Sequence, residues 1–160
     1  MVEDYLTQQA DRYILENQEK HYRLAYSYLK NTDDAMDVVQ ESIYKAFVSL
    51  STAKSPRYFK TWFYRIITHT ALDYIKKRKR FVACDMDDLE DYNSAMPDTY
   101  EHLDLQKALD DLPIQYRSVV VLRYFEDLKL DEVAYVLDEN VNTVKTRLYK
   151  ALKLLRLNIE

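Results

Sequence analysis

The chain has 160 residues and no glycine, where an average usage of about 7% predicts roughly eleven. Tight hairpins and phosphate- or dinucleotide-binding loops lean on glycine for positive φ and close backbone approach, so the composition weighs against a β-sandwich, a Rossmann domain and a P-loop enzyme and points to an all-α fold. The net charge of −4 hides a segregation: Arg57 to Arg80 holds eight basic residues and one acid, Val82 to His102 seven acids and no Lys or Arg, and Asn142 to Arg156 five basic residues and no acid.

In chain order, about Tyr5 to Leu29 reads as one helix, with Tyr22, Ala25, Tyr26 and Leu29 at helical spacing. Asn31-Thr32-Asp33-Asp34 is a stop and a new N-cap cluster. A second helix follows to about Leu50, with Met36, Val39, Ile43, Phe47 and Leu50 expected along one buried face. Ser51 to Ser55 connects to a third helix, about Arg57 to Arg80, which Ser55-Pro56 starts. Phe59, Phe63, Ile66, Ile67 and Tyr74 can face its core. The acidic stretch 82–99 lacks helical periodicity and reads as a linker between residues 1–81 and 100–160, hence two small helical domains. The second domain carries a helix to about Leu109, a break at Asp110–Pro113, a helix to about Phe125, and two more at Asp131–Leu137 and Asn142–Leu157.

Leu130 to Leu148 fits a helix-turn-helix. Ala134 sits where two helices would cross, and Val133, Leu137, Val144 and Leu148 supply a shared core. Asp138 occupies a turn position that needs left-handed backbone, which Asp tolerates better than most residues. Asn142 can cap the second helix, which presents Thr143, Lys145, Thr146, Arg147, Tyr149 and Lys150: cations for phosphates beside side chains that reach base edges. An ordinary hairpin with a solvated basic face carries the same pattern. The third helix places Tyr58, Trp62, Arg65 and His69 at spacings of four, three and four, ahead of Lys76-Lys77-Arg78-Lys79-Arg80. Aromatics stack on unpaired bases while cations track the backbone; a core face with a basic helix end reads the same way. Asp37, Gln40 and Glu41 share one polar face of the second helix.

Catalytic readings are poor. His21, His69 and His102 are scattered, His69 and Asp73 alone make neither a metal site nor a triad, and Cys84 lies in an acidic stretch that would raise its thiol pKa. No enzyme activity, cofactor, metal or small-molecule substrate is expected. The acidic start and the short apolar runs, of which Val119–Leu122 is the longest, point to a soluble cytoplasmic protein.

Taken together these segments resemble the extracytoplasmic-function sigma factors of the sigma-70 family. Tyr22 to Phe47 looks like region 2.1–2.2, with the D-A-x-D-x-V-Q-E pattern at Asp34, Ala35, Asp37, Val39, Gln40 and Glu41; Phe59 to Arg80 looks like region 2.3–2.4; and Leu112 to Arg156 looks like region 4. Within the family the run from Leu122 to Arg156 looks most like the Sigma-V group of Gram-positive bacteria.

The resemblance implies a protein that binds core RNA polymerase and directs promoter-specific initiation. Asp34, Asp37, Gln40 and Glu41 would bind the polymerase clamp helices, and the second domain its flap. Arg57, Tyr58, Lys60, Trp62, Arg65, His69, Lys76 and Lys77 would bind the −10 element, with a nontemplate base flipped into a pocket. Asn142, Thr143, Lys145, Thr146, Arg147, Tyr149 and Lys150 would bind the −35 element. A membrane-anchored anti-sigma factor and a cell-envelope stress response, including lysozyme, are the further implications. His69 stands where many relatives have Asn, Thr68 replaces a basic residue, and Asp138-Glu139 replace the usual Gly and aliphatic residue of the turn. The alternative is a free-standing helix-turn-helix repressor or activator, which would bind duplex DNA alone and need no Asp37/Gln40/Glu41 face.

Overall fold

The computed structural model of the protein describes residues 2–50, 58–82 and 100–159. These residues form α1 (Val2–Glu16), α2 (Gln18–Leu29), α3 (Thr32–Val48), α4 (Phe59–Val82), α5 (Tyr100–Asp111), α6 (Ile114–Val120) continued by a π-helical turn (Val121–Phe125), α7 (Leu130–Leu137) and α8 (Val141–Ile159). The all-α expectation holds among them.

The single helix expected from Tyr5 to Leu29 is two, broken at Asn17 (φ −121°, ψ 23°). The Asn17 side-chain amide donates to the Tyr13 carbonyl at 2.8 Å. A short amide that bonds its own backbone competes with the helical ladder, and periodicity alone does not register that. α2 ends at Lys30, in left-handed backbone, whose N–H donates to the Tyr26 carbonyl at 2.8 Å. Asn31 then starts α3 by accepting the Asp34 N–H at 3.0 Å, as the cap cluster predicted. Without glycine, left-handed backbone falls to Lys30, Asp127 and Asp138 among the described residues, at φ 56°, 58° and 57°. Asp138 is where the sequence placed it; Lys30 and Asp127 were not foreseen.

α2, α3 and α4 pack together through Leu24, Ala25 and Tyr28, through Ala35, Val38 and Ala46, and through Phe63, Tyr64, Ile67 and Ala71. The alanines let the helix axes approach closely. The expected stripe on α3 holds only in part: Leu50 is buried and Val39 and Ile43 pack half-buried against the core, but they are not its centre. The buried line runs Ala35, Val38, Ser42, Ala46, whereas Met36 and Phe47 are 50% and 36% exposed. Hydropathy favoured the larger side chains; fit between close helices selected the smaller ones. α1 docks through Ala10, Ile14 and Tyr13, the last edge-on to Phe59 with ring centroids 5.2 Å apart.

α5, α6 and α7 pack against α8. Val133, Ala134 and Val144 are buried and Leu137 and Leu148 half-buried, as the helix-turn-helix core read from the sequence has them; Val136, outside that reading, is buried with them. The core does not stop between the two groups of helices. α4 packs along α7, and one apolar cluster runs from Leu24 and Ile67 to Val119, Leu122 and Val136. The expected linker, the Ser51–Arg57 connection and the helix start at Pro56 lie outside the described residues, apart from Val82, which closes α4.

Candidate nucleic-acid interface

The half-turn after α6 sets the geometry of the second group of helices. The Glu126 N–H reaches the Val121 carbonyl at 2.9 Å, five residues back, and Leu128 N–H reaches Leu122 at 3.0 Å. This wide turn delivers the chain to α7, whose N-terminus is closed by Glu132 accepting the Lys129 N–H at 2.9 Å. α7 ends at Asp138, and α8 begins three residues later. The residue that caps α8 is Asn140, not Asn142. The Asn140 carboxamide oxygen accepts the Asn142 N–H at 2.7 Å, and the helix is already under way at Val141. Asn142 is instead an exposed first-turn residue whose carbonyl accepts the Thr146 hydroxyl at 2.9 Å.

Val144, Ala151 and Leu155 bury one side of α8. Asn142, Thr143, Thr146, Arg147 and Lys150 line an open groove of about 360 Å³, together with Tyr116 of α6. Lys145 and Tyr149 stand exposed outside that groove, Tyr149 by 69%. The Arg147 guanidinium is held at 3.2 Å by Glu139, so one of the cations expected to be free is tied to the turn. The sequence missed Tyr116, because it lies on another helix and enters the groove only through packing.

Around α4, Trp62, Arg65 and His69 do converge. They line a cleft of about 310 Å³ with Ile66 and Thr70 of the same helix and with Lys45 and Ser49 from the end of α3. Lys45 Nζ donates to the Thr70 hydroxyl at 3.1 Å and lies 3.7 Å from the Glu41 carboxylate. Its place one helical turn after Glu41 is legible in the sequence; its reach to α4 is not. Tyr58 stands apart from the cleft and 59% exposed, and Lys60, Lys76 and Lys77 are exposed along the helix. Arg57 lies outside the described residues.

On α3, Asp37, Gln40 and Glu41 are exposed, and they share that surface with Met36, Tyr44 and Val48, the last two 70% and 66% exposed. Polar groups interleaved with large uncovered apolar ones suit a protein partner better than plain solvation. Asp34 is drawn away from this surface. It accepts the Tyr74 hydroxyl at 2.7 Å and pairs with Arg78 at 3.0 Å, tying the start of α3 to the far half of α4. That hydrogen bond, helped by burial, pushes the Tyr74 hydroxyl up to about 12. Among the described residues no three His, Cys, Asp or Glu side chains gather as a metal site would require.

Residues 13–81 match the sigma-70 region 2 family and residues 102–155 the sigma-70 region 4 family. The chain belongs to the extracytoplasmic-function group of the sigma-70 family. It is 48% identical over 146 residues to the RNA polymerase sigma factor SigV of Bacillus subtilis, covering 91% of this chain and 88% of that one. It is 33% identical to the extracytoplasmic-function sigma factor SigW of the same organism, over 86% and 82% of the two chains. The fold of this sigma factor matches that of RpoE from Bartonella quintana, solved with the anti-sigma factor NepR, at a TM-score of 0.82 over 93% and 95% of the chains and 21% identity. CnrH, solved with the cytosolic domain of CnrY, matches at 0.70 over 97% and 94%, also at 21% identity. Sigma factors direct RNA polymerase to promoters and are not themselves enzymes. No described helix of this one is long and apolar enough to cross a membrane.

Proposed function

We propose that this sigma factor divides its work as follows. Residues 1–81 hold core polymerase on the exposed face of α3 and the −10 strand in the cleft of α4. Residues 100–160 set α8 into the major groove of the −35 element, and 82–99 join the two. The observation that carries this reading is the convergence of Trp62, Arg65 and His69 on one cleft. An aromatic, a guanidinium and an imidazole around an open cavity suit an unstacked base and its phosphate, which a duplex-only repressor does not need. Asp34 acts by holding α3 on α4, and Asp37, Gln40 and Glu41 make the contact. An anti-sigma factor as inhibitor is supported by the complexes in which RpoE was solved with the anti-sigma factor NepR and CnrH with the cytosolic domain of CnrY; a membrane anchor and release by envelope stress including lysozyme are what the resemblance to the Sigma-V group adds to this reading. A cytoplasmic location goes with this reading, since polymerase and promoter DNA lie there.

Purified core polymerase reconstituted with the chain tests the assignment. Asp37, Gln40 and Glu41 changed together to Ala are expected to lower core affinity at least tenfold with an unchanged circular dichroism spectrum. Unchanged affinity removes the polymerase-binding face. A chain that binds its promoter duplex at nanomolar affinity without polymerase returns the repressor reading.

A further inference from the structure

The cleft beside α4 has a wall that α4 does not supply. Trp62, Arg65, His69 and Thr70 belong to α4, whereas Lys45 comes from the last turn of α3. None of the residues that line the cleft is acidic, and Lys45, Arg65 and His69 are of basic type. A concave surface edged by one sign of charge gathers ligands of the other sign. Trp62 adds a flat ring to it.

Lys45 is not placed as an ordinary surface lysine. One helical turn after Glu41, it would run into solvent along its own helix in a loose i, i+4 pair. Instead Nζ crosses to α4 and donates to the Thr70 hydroxyl at 3.1 Å, on a residue only 2% exposed. The Glu41 carboxylate is 3.7 Å away, beyond hydrogen-bond range, so it attracts the ammonium without bonding it. An ammonium carries three donors. Thr70 takes one, and among the described residues no other group accepts a hydrogen bond from Nζ. The remaining donors stand at the cleft, beside Trp62 and His69. A lysine already held by a buried hydroxyl gives up less rotamer freedom on taking an anion than one loose in solvent. α3 itself is packed on α2 and α4, so whatever fixes its exposed face also fixes Lys45.

We propose that Lys45 is a phosphate-binding residue of the −10 cleft, supplied by the helix that also faces polymerase, and that Thr70 is the positioning residue that holds it there. The proposal rests on the reading of that cleft given above. The ring of Trp62 and the imidazole of His69 take the base, and Lys45 neutralises one phosphate of the same strand.

Holoenzyme reconstituted with Lys45→Met, Lys45→Arg, Thr70→Val and the Lys45→Met/Thr70→Val pair tests both roles on a premelted promoter. Lys45→Met keeps the apolar stem and loses the charge. It is expected to bind core polymerase like the wild type, with unchanged helicity, and to bind the promoter about tenfold more weakly, as loss of a hydrogen bond to a charged group implies. Its salt slope is expected to fall by about 0.7, the single-strand value for one phosphate, and Lys45→Arg to restore it. Thr70→Val is expected to weaken binding several-fold with the slope unchanged, and to cost nothing further beside Lys45→Met. A Thr70 that serves only the packing costs the same in both backgrounds, which removes its positioning role.

Premelted promoters carrying one neutral methylphosphonate at a time along the −10 strand locate the contact. At one position the substitution is expected to weaken the wild type and leave Lys45→Met unaffected. Equal losses for both proteins at every position overturn the proposal, as does a Lys45→Met variant with the wild-type affinity and slope. Weakened core binding by Lys45→Met overturns it in another way, since Lys45 would then act on polymerase through Glu41. If the cleft reading itself is wrong, His69→Ala holoenzyme opens its promoter like the wild type; a failure confined to Lys45→Met removes this proposal and keeps the cleft.

Discussion

His21 sits in a box of aromatic rings. Phe63 meets it edge-on with ring centroids 4.6 Å apart, Tyr64 and Tyr13 flank it, and Nε2 lies 3.4 Å from the Tyr13 hydroxyl. Its Nδ1 is buried without a hydrogen-bond partner. Burial, with a smaller contribution from the charge of Lys20, pushes the imidazole down to about 4 from the ordinary value of 6.5. The folded chain therefore keeps His21 neutral where the unfolded chain protonates it. The stability contributed is complete above about pH 6.5 and is lost as pH falls from there toward 4. The full effect amounts to roughly 3 kcal/mol. Urea titrations between pH 7 and 5 are expected to show the wild type losing stability and His21→Leu losing distinctly less; equal slopes would mean that other groups carry the acid sensitivity. Asp34 shows the opposite outcome for a polar residue. It reads as interface in the sequence and serves as an internal tie through Tyr74 and Arg78.

At the scale of the element, α8 divides its side chains by position. Val144, Ala151 and Leu155 hold it on α5–α7, the groove beside Tyr116 takes five of the seven −35 candidates, and Lys145 and Tyr149 project separately. A lysine that neutralises a phosphate releases about one counterion, whereas a threonine or tyrosine at a base edge reads sequence. Lys145→Ala and Lys150→Ala are expected to weaken −35 binding evenly across sequences and to lower the salt slope by about one each. Thr146→Ala and Tyr149→Ala are expected to relax base preference at a cost of about 1–3 kcal/mol on the preferred site with little change in salt slope. A library of −35 variants titrated at several salt concentrations distinguishes the two classes; four identical profiles would erase the division.

Across the whole molecule, α4 packs along α7 and also carries the −10 cleft. His69 meets the Val136 carbonyl and is assigned above to the nontemplate strand, so His69→Ala is expected to weaken the melted promoter. Base and side-chain contacts of this kind are worth about 1–3 kcal/mol, so open-complex formation by the reconstituted holoenzyme is expected to fall roughly ten- to a hundredfold. Permanganate reactivity of the −10 thymines reads it directly, with −35 binding and binding to a premelted promoter as references. Normal reactivity on a duplex promoter would move the base pocket away from His69.

Most of the helical architecture was legible because it is written in local chemistry. The absence of glycine excluded sheets with tight turns, Asn31 and Pro113 mark the helix starts that the structure shows, and Val133, Ala134, Val144 and Leu148 repeat at the spacing a helix-turn-helix core demands. The convergence of Trp62, Arg65 and His69 was also legible, since spacings of three and four place residues on one side of a helix whatever surrounds it. What lies opposite a helix face is not local. Whether Met36 or Ala35 turns inward depends on how near α4 stands, Lys45 joins the cleft only because α3 ends beside α4, and the cap of α8 passes to Asn140 because of where α7 stops. The pairing of α4 with α7, and with it the burial of Glu126 beside Tyr64 and Arg23, brings together residues more than sixty positions apart. No periodicity connects such residues; only packing of the folded chain decides that they meet.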